Sequence, residues 1–313
     1  MGCSYSSSSN GKNDNYIIGI LNVYPPDENQ ELEDILNIAL PAKLISSYEN
    51  YQQDSKDVNE KEIKQAEIRI EDEVFPFSYE HELKPGKYTV KISFKKPLKN
   101  ASCLFAMCDY EVLDLSHFNS DDLTDLSHIF TGCMNLKVVF LNDLKTDKVT
   151  TMEHMFFSCE NLTDIDCSSF NTENVTNVNG MFMGCSLLKI IRCRNFNFLK
   201  IKEFVQVFSD CESLRYIDLA NCTTSDALTS LYMAFEGCKK LTHLNISKFD
   251  FSKVTEITNM CTNCESLKEL TFPENINKDI ITDCDHVFEG CNSLNEKGVN
   301  IDNNFYKFLR SKD

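Results

Sequence analysis

The sequence predicts an α+β protein in which a small β-rich domain precedes a solenoid of about eight rungs. A cysteine recurs at nearly fixed intervals along the last two thirds of the chain. A unit this short cannot bury an apolar face alone, so neighbouring units must stack, and such stacks expose broad surfaces that suit binding better than catalysis. The repeat cysteines are Cys108, Cys133, Cys159, Cys185, Cys211, Cys238, Cys264 and Cys291.

These patterns divide the 313-residue chain into four segments. We expect a flexible arm over residues 1–15, a β-rich domain over 16–98, a solenoid over 99–304 and a C-terminal tail over 305–313. Hydrophobic residues make up 42% of the chain and charged residues 25%, values typical of a soluble protein with a sizeable core.

Charge and cysteine content narrow the function classes. With a net charge of -17 the chain lacks the basic footprint that phosphate backbones need, so we expect no nucleic-acid partner. The acidity is typical of a solvated surface that keeps a long solenoid soluble, and attraction to a basic partner is the alternative. An odd number of cysteines, 15, indicates buried thiols in a reducing compartment rather than a disulfide scaffold.

The first six residues read Met-Gly-Cys-Ser-Tyr-Ser, the pattern in which Met1 is removed and Gly2 is N-myristoylated. Cys3 offers a thiol for palmitate, which matters because one myristoyl chain binds membranes only marginally. The alternative is an unmodified, Ser-rich flexible start. No apolar leader and no membrane-spanning run is visible in the sequence. Dual acylation at Gly2 and Cys3 would therefore hold the chain on the cytoplasmic face of a membrane, with the plasma membrane as the first expectation.

The front domain shows the alternation typical of strands. Tyr88, Val90, Ile92 and Phe94 alternate with polar residues, and an acidic turn at 71–73 separates two further runs. This turn lacks the calcium-binding EF-hand pattern, so a solvated loop is favoured. We expect strands at 16–24, 66–70, 74–78 and 88–94, and a short helix at 27–40.

The repeats share the core Phe-x-x-Cys-x-x-Leu. The sixth and eighth residues after the cysteine are also apolar, as in Ile217 and Leu219, and this alternation predicts a short strand. A helical or 3₁₀ segment is expected ahead of each phenylalanine, beginning at positions such as Val149 and Val175. Strand, turn and short helix together are typical of a leucine-rich repeat. The first unit departs from the pattern, with Glu111 in the leucine position and its strand shifted by one residue.

Two units carry a resemblance to a known family. One reads Asn-Leu-Thr-Asp-Ile-Asp-Cys-Ser-Ser-Phe-Asn-Thr-Glu-Asn-Val-Thr-Asn-Val-Asn-Gly-Met-Phe-Met-Gly-Cys and ends at Cys185, and another begins at Leu244 as Leu-Asn-Ile-Ser-Lys-Phe-Asp-Phe-Ser-Lys-Val-Thr. The segment from about Ala101 to Leu294 resembles BspA-like leucine-rich repeat surface proteins. The resemblance implies a binding or adhesion protein without catalytic residues. A BspA-like cell-surface adhesin or surface antigen is thus the alternative function, although the acylation-like start differs from an export signal.

The residues five and seven places after each cysteine flank the inward strand position, so they are expected to line the concave face of the solenoid. Several are apolar where a solvated strand would be polar, which is typical of a patch that binds a protein partner. The alternative is that an error in register places some of them inside. The expected binding residues are Val138, Phe140, Asp164, Asp166, Ile190, Arg192, Tyr216, Asp218, His243 and Asn245.

Catalytic and metal chemistry are disfavoured. Asp164 and Asp166 could form an acid/base pair, but an open strand offers no pocket that would perturb their pKa values. His128, His154 and His286 share one slot in the repeat, where exposed polar side chains are favoured over metal ligands. No phosphate loop or nucleophile elbow occurs in the sequence. We therefore expect no enzyme activity, no metal and no cofactor.

Overall fold

The computed structural model describes residues 15–24, 40–43, 45 and 60–313. Gly2, Cys3 and the helix expected at 27–40, apart from Leu40, lie outside the described residues. The described part of the chain is mostly β, with two short helices and one 3₁₀ turn. None of these helices has the length and apolar character needed to cross a membrane.

A front sheet is organised around strand β1 (Tyr16–Val23), in which every second side chain is buried. On one side β1 pairs antiparallel with β6 (Gly86–Ser93), and on the other with β7 (Tyr110–Asp114), the first strand of the repeats. The expected boundary between residues 98 and 99 is therefore crossed by one continuous sheet. The order across this sheet is β4 (Glu73–Phe75), β3 (Glu67–Ile70), β6, β1, β7 and β8 (Val138–Phe140).

Two smaller elements complete the front of the chain. Strands β2 (Leu40–Lys43) and β5 (Glu80–Leu83) form a separate antiparallel pair. Helix α1 (Glu60–Ile63) precedes β3 and contributes the fully buried Ile63 to the core. The backbone N–H of Lys43 donates to the Asp109 carboxylate at 2.9 Å, which ties the β2–β5 pair to the start of β7.

The junction between the front sheet and the repeats depends on Gly19 and Tyr110. The Tyr110 ring is fully buried, and a Cβ at Gly19 would overlap it, so only glycine fits there. The register of β1 against β7 shifts after Ile20, which leaves Glu111 as a bulge. Leu113, five residues after Cys108, pairs with Val139, six residues after Cys133, as the one-residue shift of the first repeat predicts.

The repeats form a solenoid whose short strands lie parallel and in register. Among the described residues, one of these strands follows each of seven successive repeat cysteines, beginning with β7. These seven strands enclose six turns of the solenoid, fewer than the eight rungs expected. The ends make the difference: the first strand belongs to the front sheet, and after β15 only a single bridge, Leu270 to Val299, continues the ladder. The remaining strands are β9 (Asp164–Asp166), β10 (Ile190–Arg192), β12 (Tyr216–Ile217), β14 (His243–Asn245) and β15 (Glu269–Thr271), with β11 (Asn197–Phe198) and β13 (Thr223–Thr224) paired on another side.

Tight turns, not helices, precede the repeat cysteines. The prediction of a helical or 3₁₀ segment in each unit is therefore wrong. Residues five and one before the cysteine have positive φ in every unit, as in His154 (φ 50°) and Ser158 (φ 55°). Left-handed residues interrupt helical hydrogen bonding. Alternate N–H groups instead donate to the next unit, His154 to the Asn179 carbonyl at 2.9 Å and Phe156 to that of Met181 at 2.8 Å.

Rows of identical side chains fill the interior. The Phe156 ring stacks between Phe130 and Phe182, with centroid distances of 5.2 and 5.4 Å. From Cys133 onward, each repeat thiol donates to a carbonyl one unit earlier, as Cys185 Sγ does to Phe156 at 3.1 Å. The Phe156 carbonyl also accepts the backbone N–H of Cys159 at 3.1 Å. A cysteine at this position therefore gives a buried carbonyl its second hydrogen bond, which an aliphatic side chain cannot do.

The segment expected as a tail at 305–313 contains most of helix α2 (Asn303–Arg310). Asp302 caps the helix, and its carboxylate accepts the N–H groups of Asn304 and Phe305. The side chains of Phe305, Tyr306 and Leu309 are buried against the last repeat. An amphipathic helix thus covers the end of the solenoid core.

Arg310 completes this cover by replacing the next repeat. Its guanidinium donates to the carbonyls of Phe288 at 2.8 Å, Cys291 at 3.1 Å and Leu294 at 3.0 Å. The Phe288 carbonyl thereby receives the hydrogen bond that a following cysteine would donate. The Phe288 N–H likewise donates to the Asp313 carboxylate at 3.0 Å rather than to another unit.

Candidate binding surface

The outward side chains of β7, β8, β9, β10, β12, β14 and β15 form one surface, which we call the strand face. In β8, β9 and β10 the middle residue is buried and both neighbours are exposed. The ten residues expected to bind a partner all lie on this face, and the alternative of an inward register does not hold. Eight of the ten are exposed, whereas Asp218 and Asn245 are half-buried.

Strand pairing brings several of these residues together. Ile190 lies opposite Asp164 on one neighbouring strand and opposite Tyr216 on the other. Arg192 lies opposite Asp166. One row of the strand face therefore runs from Asp164 through Ile190 to Tyr216, and the next row places Asp166 beside Arg192.

Large apolar side chains are unusually exposed on this face. Phe140 is 47% exposed, Ile190 43%, Tyr216 60% and Val138 39%. Single exposed apolar residues are ordinary, but a group of them at outward positions of neighbouring strands is typical of an interaction surface.

The front sheet extends this apolar surface beyond the repeats. On β1, Ile20 lies opposite Val112, and Val112 in turn lies opposite Val138 of β8. Ile18 follows the same face, and Ile18, Ile20 and Val112 are half-buried. The sequence alone did not indicate this extension, because the pairing of β1 with β7 joins segments far apart in the chain.

Two polar residues of the strand face hold the turn that follows their strand. Asp166 accepts the Ser168 N–H at 3.0 Å, and Asn245 accepts the Ser247 N–H at 3.0 Å. The hydrogen bond from Ser168 lowers the pKa of Asp166 below its usual value, with a further contribution from Arg192. A lowered pKa keeps the Asp166 carboxylate ionised, which suits a structural acceptor and not a general acid.

A shallow groove of about 230 Å³ opens where β12 and β14 are adjacent. Within residues 216–271 no strand pairing joins β12 to β14, although β14 pairs with β15. His243 and its strand partner Glu269 both line the groove, with 3.8 Å between Nε2 and Oε2. The lining also includes Tyr216, Asp218 and Asn245. The groove is large enough to receive a side chain of a partner.

Of the three histidines expected as exposed polar side chains, His286 is exposed, whereas His128 and His154 are half-buried. The rings of His128 and His154 lie 5.0 Å apart, and burial lowers the pKa of both. A Cβ at Gly180 would overlap the His154 ring, so this glycine makes room for the imidazole. His286 approaches Glu289, with 2.8 Å between Nδ1 and Oε2. Within the described residues, no group of three or more His, Cys, Asp or Glu is placed to hold a metal ion.

Comparison with protein-family models gives two overlapping matches, at residues 99–222 and 188–301, to a family described as "Mycoplasma protein of unknown function, DUF285". Together they cover more than half of the 313 residues. The chain belongs to the DUF285 family. DUF285 is a repeat family of the BspA-like type, so the expected kind of repeat is confirmed at that level. A search of curated proteins found no match.

The DUF285 matches coincide with the solenoid. They begin at residue 99 and end at 301, so they leave out strands β1 to β6 and helix α2. The family description assigns no activity or ligand. A function for this DUF285 chain must therefore be argued from its exposed side chains.

Proposed function

We propose that this DUF285 chain is a non-enzymatic interaction module that binds a protein partner on its strand face. The observation that carries the proposal is the exposure of Phe140, Ile190 and Tyr216 at outward positions of β8, β10 and β12. Aromatic and large aliphatic anchors of this kind supply most of the binding energy at protein interfaces. We assign the solenoid to leucine-rich repeats of the BspA-like kind, because its units combine that family's consensus with a parallel strand in each turn.

The absence of catalysis in this proposal rests on the character of the strand face. Asp166 is held by the Ser168 N–H and its pKa is lowered, while Asp164 is exposed beside it. General acid–base catalysis needs a carboxyl group whose pKa is raised toward the working pH and a site that excludes water. An open face of exposed side chains is better suited to a macromolecular partner.

Anchorage on the cytoplasmic face of the plasma membrane is the second part of the proposal. It rests on the sequence Met-Gly-Cys-Ser-Tyr-Ser, with myristate on Gly2 and palmitate on Cys3. Two acyl chains give stable binding, whereas one gives only reversible association. The strand face would then present its partner-binding side chains close to the membrane.

The second candidate is a BspA-like cell-surface adhesin or surface antigen, which the repeat type of the DUF285 family favours. The two candidates differ in which side of the membrane carries the solenoid. Biotinylation of intact cells with an impermeant reagent separates them: labelling of the repeat lysines supports the adhesin, and labelling only after lysis supports the cytoplasmic module.

Proximity labelling in cells tests the main proposal. A labelling enzyme fused to the full chain should mark membrane proteins together with a specific partner. Phe140→Ala combined with Tyr216→Ala should remove the partner but keep the membrane proteins, and Gly2→Ala should do the reverse. The control is Lys148→Ala, an exposed residue away from the strand face that pairs with Asp122. Partner labelling unchanged by the Phe140/Tyr216 variant would overturn the role of the strand face.

A further inference from the structure

A group of two basic and three apolar exposed side chains lies on β10 and β12 and in the turns just before them, at one edge of the strand face. We call it the cationic patch, and it consists of Leu187, Lys189, Ile190, Arg215 and Tyr216. Lys189 and Arg215 immediately precede β10 and β12, and both are exposed. Leu187 is 44% exposed and lies two residues before Lys189. In a chain with net charge -17, a basic group combined with exposed apolar side chains stands out.

The backbone holds this patch in a defined arrangement. The N–H of Lys189 donates to the Thr163 carbonyl at 2.8 Å, which fixes the start of β10 against the preceding unit. Ile190 and Tyr216 lie opposite each other in the parallel pairing of β10 with β12. Adjacent strands are about 4.8 Å apart, so the two apolar side chains are neighbours, and Lys189 and Arg215 are the residues just before them in the chain. A preformed surface of this kind loses little entropy when a ligand binds.

The two cations of the patch differ from three lysines of the solenoid that form ion pairs. Lys145, Lys148 and Lys239 each pair with a carboxylate, at 2.5, 2.7 and 2.8 Å. Among the described residues, by contrast, no carboxylate forms an ion pair with Lys189 or Arg215. Their positive charge is available to a ligand without breaking an internal pair.

We infer that the cationic patch binds an acidic peptide segment of the partner, with carboxylates against Lys189 and Arg215 and an apolar side chain over Ile190 and Tyr216. The inference rests on the proposed function, because it specifies the chemistry of the partner that the strand face takes. Opposite charge raises the association rate and selects among partners, while the apolar contact slows dissociation.

The surrounding charges favour a peptide over an anionic membrane surface. Asp164 and Asp166 lie on the neighbouring strand β9, and Asp218 follows β12. A membrane would approach these carboxylates together with the cations and would be repelled, since lipid recognition relies on clusters of basic residues. A narrow peptide can place its carboxylates against Lys189 and Arg215 and bring only its apolar side chain beside Asp164.

Selection from a phage-displayed library of random peptides on the purified full chain tests the inference. The expected winners carry net negative charge and at least one aromatic or branched aliphatic residue. A synthetic copy of a winner should bind about tenfold more weakly to Tyr216→Ala, a change of about 1.4 kcal/mol. Its binding should also weaken as salt is raised, because exposed charges are screened.

A charge reversal makes the test specific. The double variant Lys189→Glu with Arg215→Glu should lose the acidic peptides and select basic ones from the same library. The control is Lys200→Glu with Lys253→Glu, two exposed lysines outside the strand face, and it should keep the acidic peptides. Circular dichroism checks that all variants fold.

The contradicting outcomes are distinct. Neutral or basic peptides selected by the unchanged protein would overturn the acidic chemistry, yet leave the proposed function standing if proximity labelling still depends on Phe140 and Tyr216. Phosphatidylserine vesicles bound by the unchanged protein, lost on charge reversal and unaccompanied by acidic peptides, would overturn it in favour of a membrane. Acidic peptides that bind the charge-reversed variant equally well would place their site elsewhere.

Discussion

Inside the solenoid the same side chains recur from unit to unit, whereas the strand face changes at every rung. Phe130, Phe156 and Phe182 stack in one row, and all are fully buried. On the strand face, by contrast, successive rungs present Val138, then an aspartate, then Ile190 and then a tyrosine. A side chain at an interior position packs against the equivalent side chain of the next unit, so the same residue type suits every unit. The outward positions have no such constraint, and their variety is where recognition of a partner can be encoded.

The largest effect is expected from a charge placed in the interior rows. Leu214 is fully buried, so Leu214→Asp should destabilise the protein by about 3 to 5 kcal/mol or prevent folding, because an uncompensated carboxylate enters the core. Thermal unfolding followed by circular dichroism measures this. Arg215→Asp is the control, since its exposed side chain should leave the transition within about 0.5 kcal/mol. An unchanged transition for Leu214→Asp would contradict the repeat register.

Alkaline pH should lower the free energy of unfolding through the buried thiols of the interior. Burial raises the pKa of Cys133 and Cys185 to about 12, while an unfolded thiol ionises near about 8.5. The folded state therefore keeps protons that the unfolded state loses, so stability is complete below about pH 8.5 and falls as pH rises toward 12. Each such thiol contributes about 1.4 kcal/mol per pH unit in this window. Urea unfolding at pH 7.5, 9 and 10 measures the slope, and Cys185→Ala should make it shallower; equal slopes would contradict the account.

The next largest loss of stability is expected at the end of the solenoid, which helix α2 and Arg310 cover. Arg310→Ala removes the guanidinium from the carbonyls of Phe288, Cys291 and Leu294, each of which keeps one other donor, so we expect a loss of about 2 kcal/mol that is concentrated in the last unit. Hydrogen exchange at the amides of the last unit measures the local effect. Lys307→Ala, an exposed residue on the same helix, is the matched control. Equal protection in the two variants would show that the guanidinium does not close the ladder.

A smaller effect isolates the thiol hydrogen bond. Cys185→Ala removes both packing and the bond to the Phe156 carbonyl, whereas Cys167→Ala removes packing alone, because the equally buried Cys167 thiol donates no such bond among the described residues. We expect Cys185→Ala to be the more destabilising by about 1 kcal/mol in denaturant unfolding. Equal losses of stability would show that the repeat cysteine contributes only as a small apolar side chain.

The repeat register and the outward residues could be predicted from the sequence because every repeat position can be counted from its cysteine. Ile191 is buried between exposed Ile190 and Arg192, as the alternation predicts. Apolar spacing alone cannot distinguish the turns ahead of the cysteine from a helix, since it does not reveal a positive φ. A signal was present: glycine stands directly before several repeat cysteines, and the slot five before holds residues such as His154, Gly180 and Asn259. Glycine, asparagine and histidine are enriched in left-handed conformations.

Other features depend on contacts that a local pattern does not contain. Strand β1 pairs with β7 only because the intervening chain folds back, so the extension of the apolar surface through Ile18 and Ile20 had no local signature. Helix α2 did have one, with a capping Asp302 followed by apolar residues, but its shortness made it resemble a tail. The role of Arg310 becomes visible only when the Phe288 carbonyl is known to lack a following cysteine.

Strand β10 offers the most direct test of the difference between interior and surface, because it carries two adjacent isoleucines that face opposite ways. Ile190 is 43% exposed and Ile191 is 3% exposed. The measurement is the free energy of unfolding of Ile190→Asp and of Ile191→Asp in the same buffer. The account predicts a loss of about 1 kcal/mol for Ile190→Asp, whose new carboxylate lies opposite Asp164, and a loss of at least about 3 kcal/mol for Ile191→Asp. Equal losses, or the larger loss at Ile190, would contradict it.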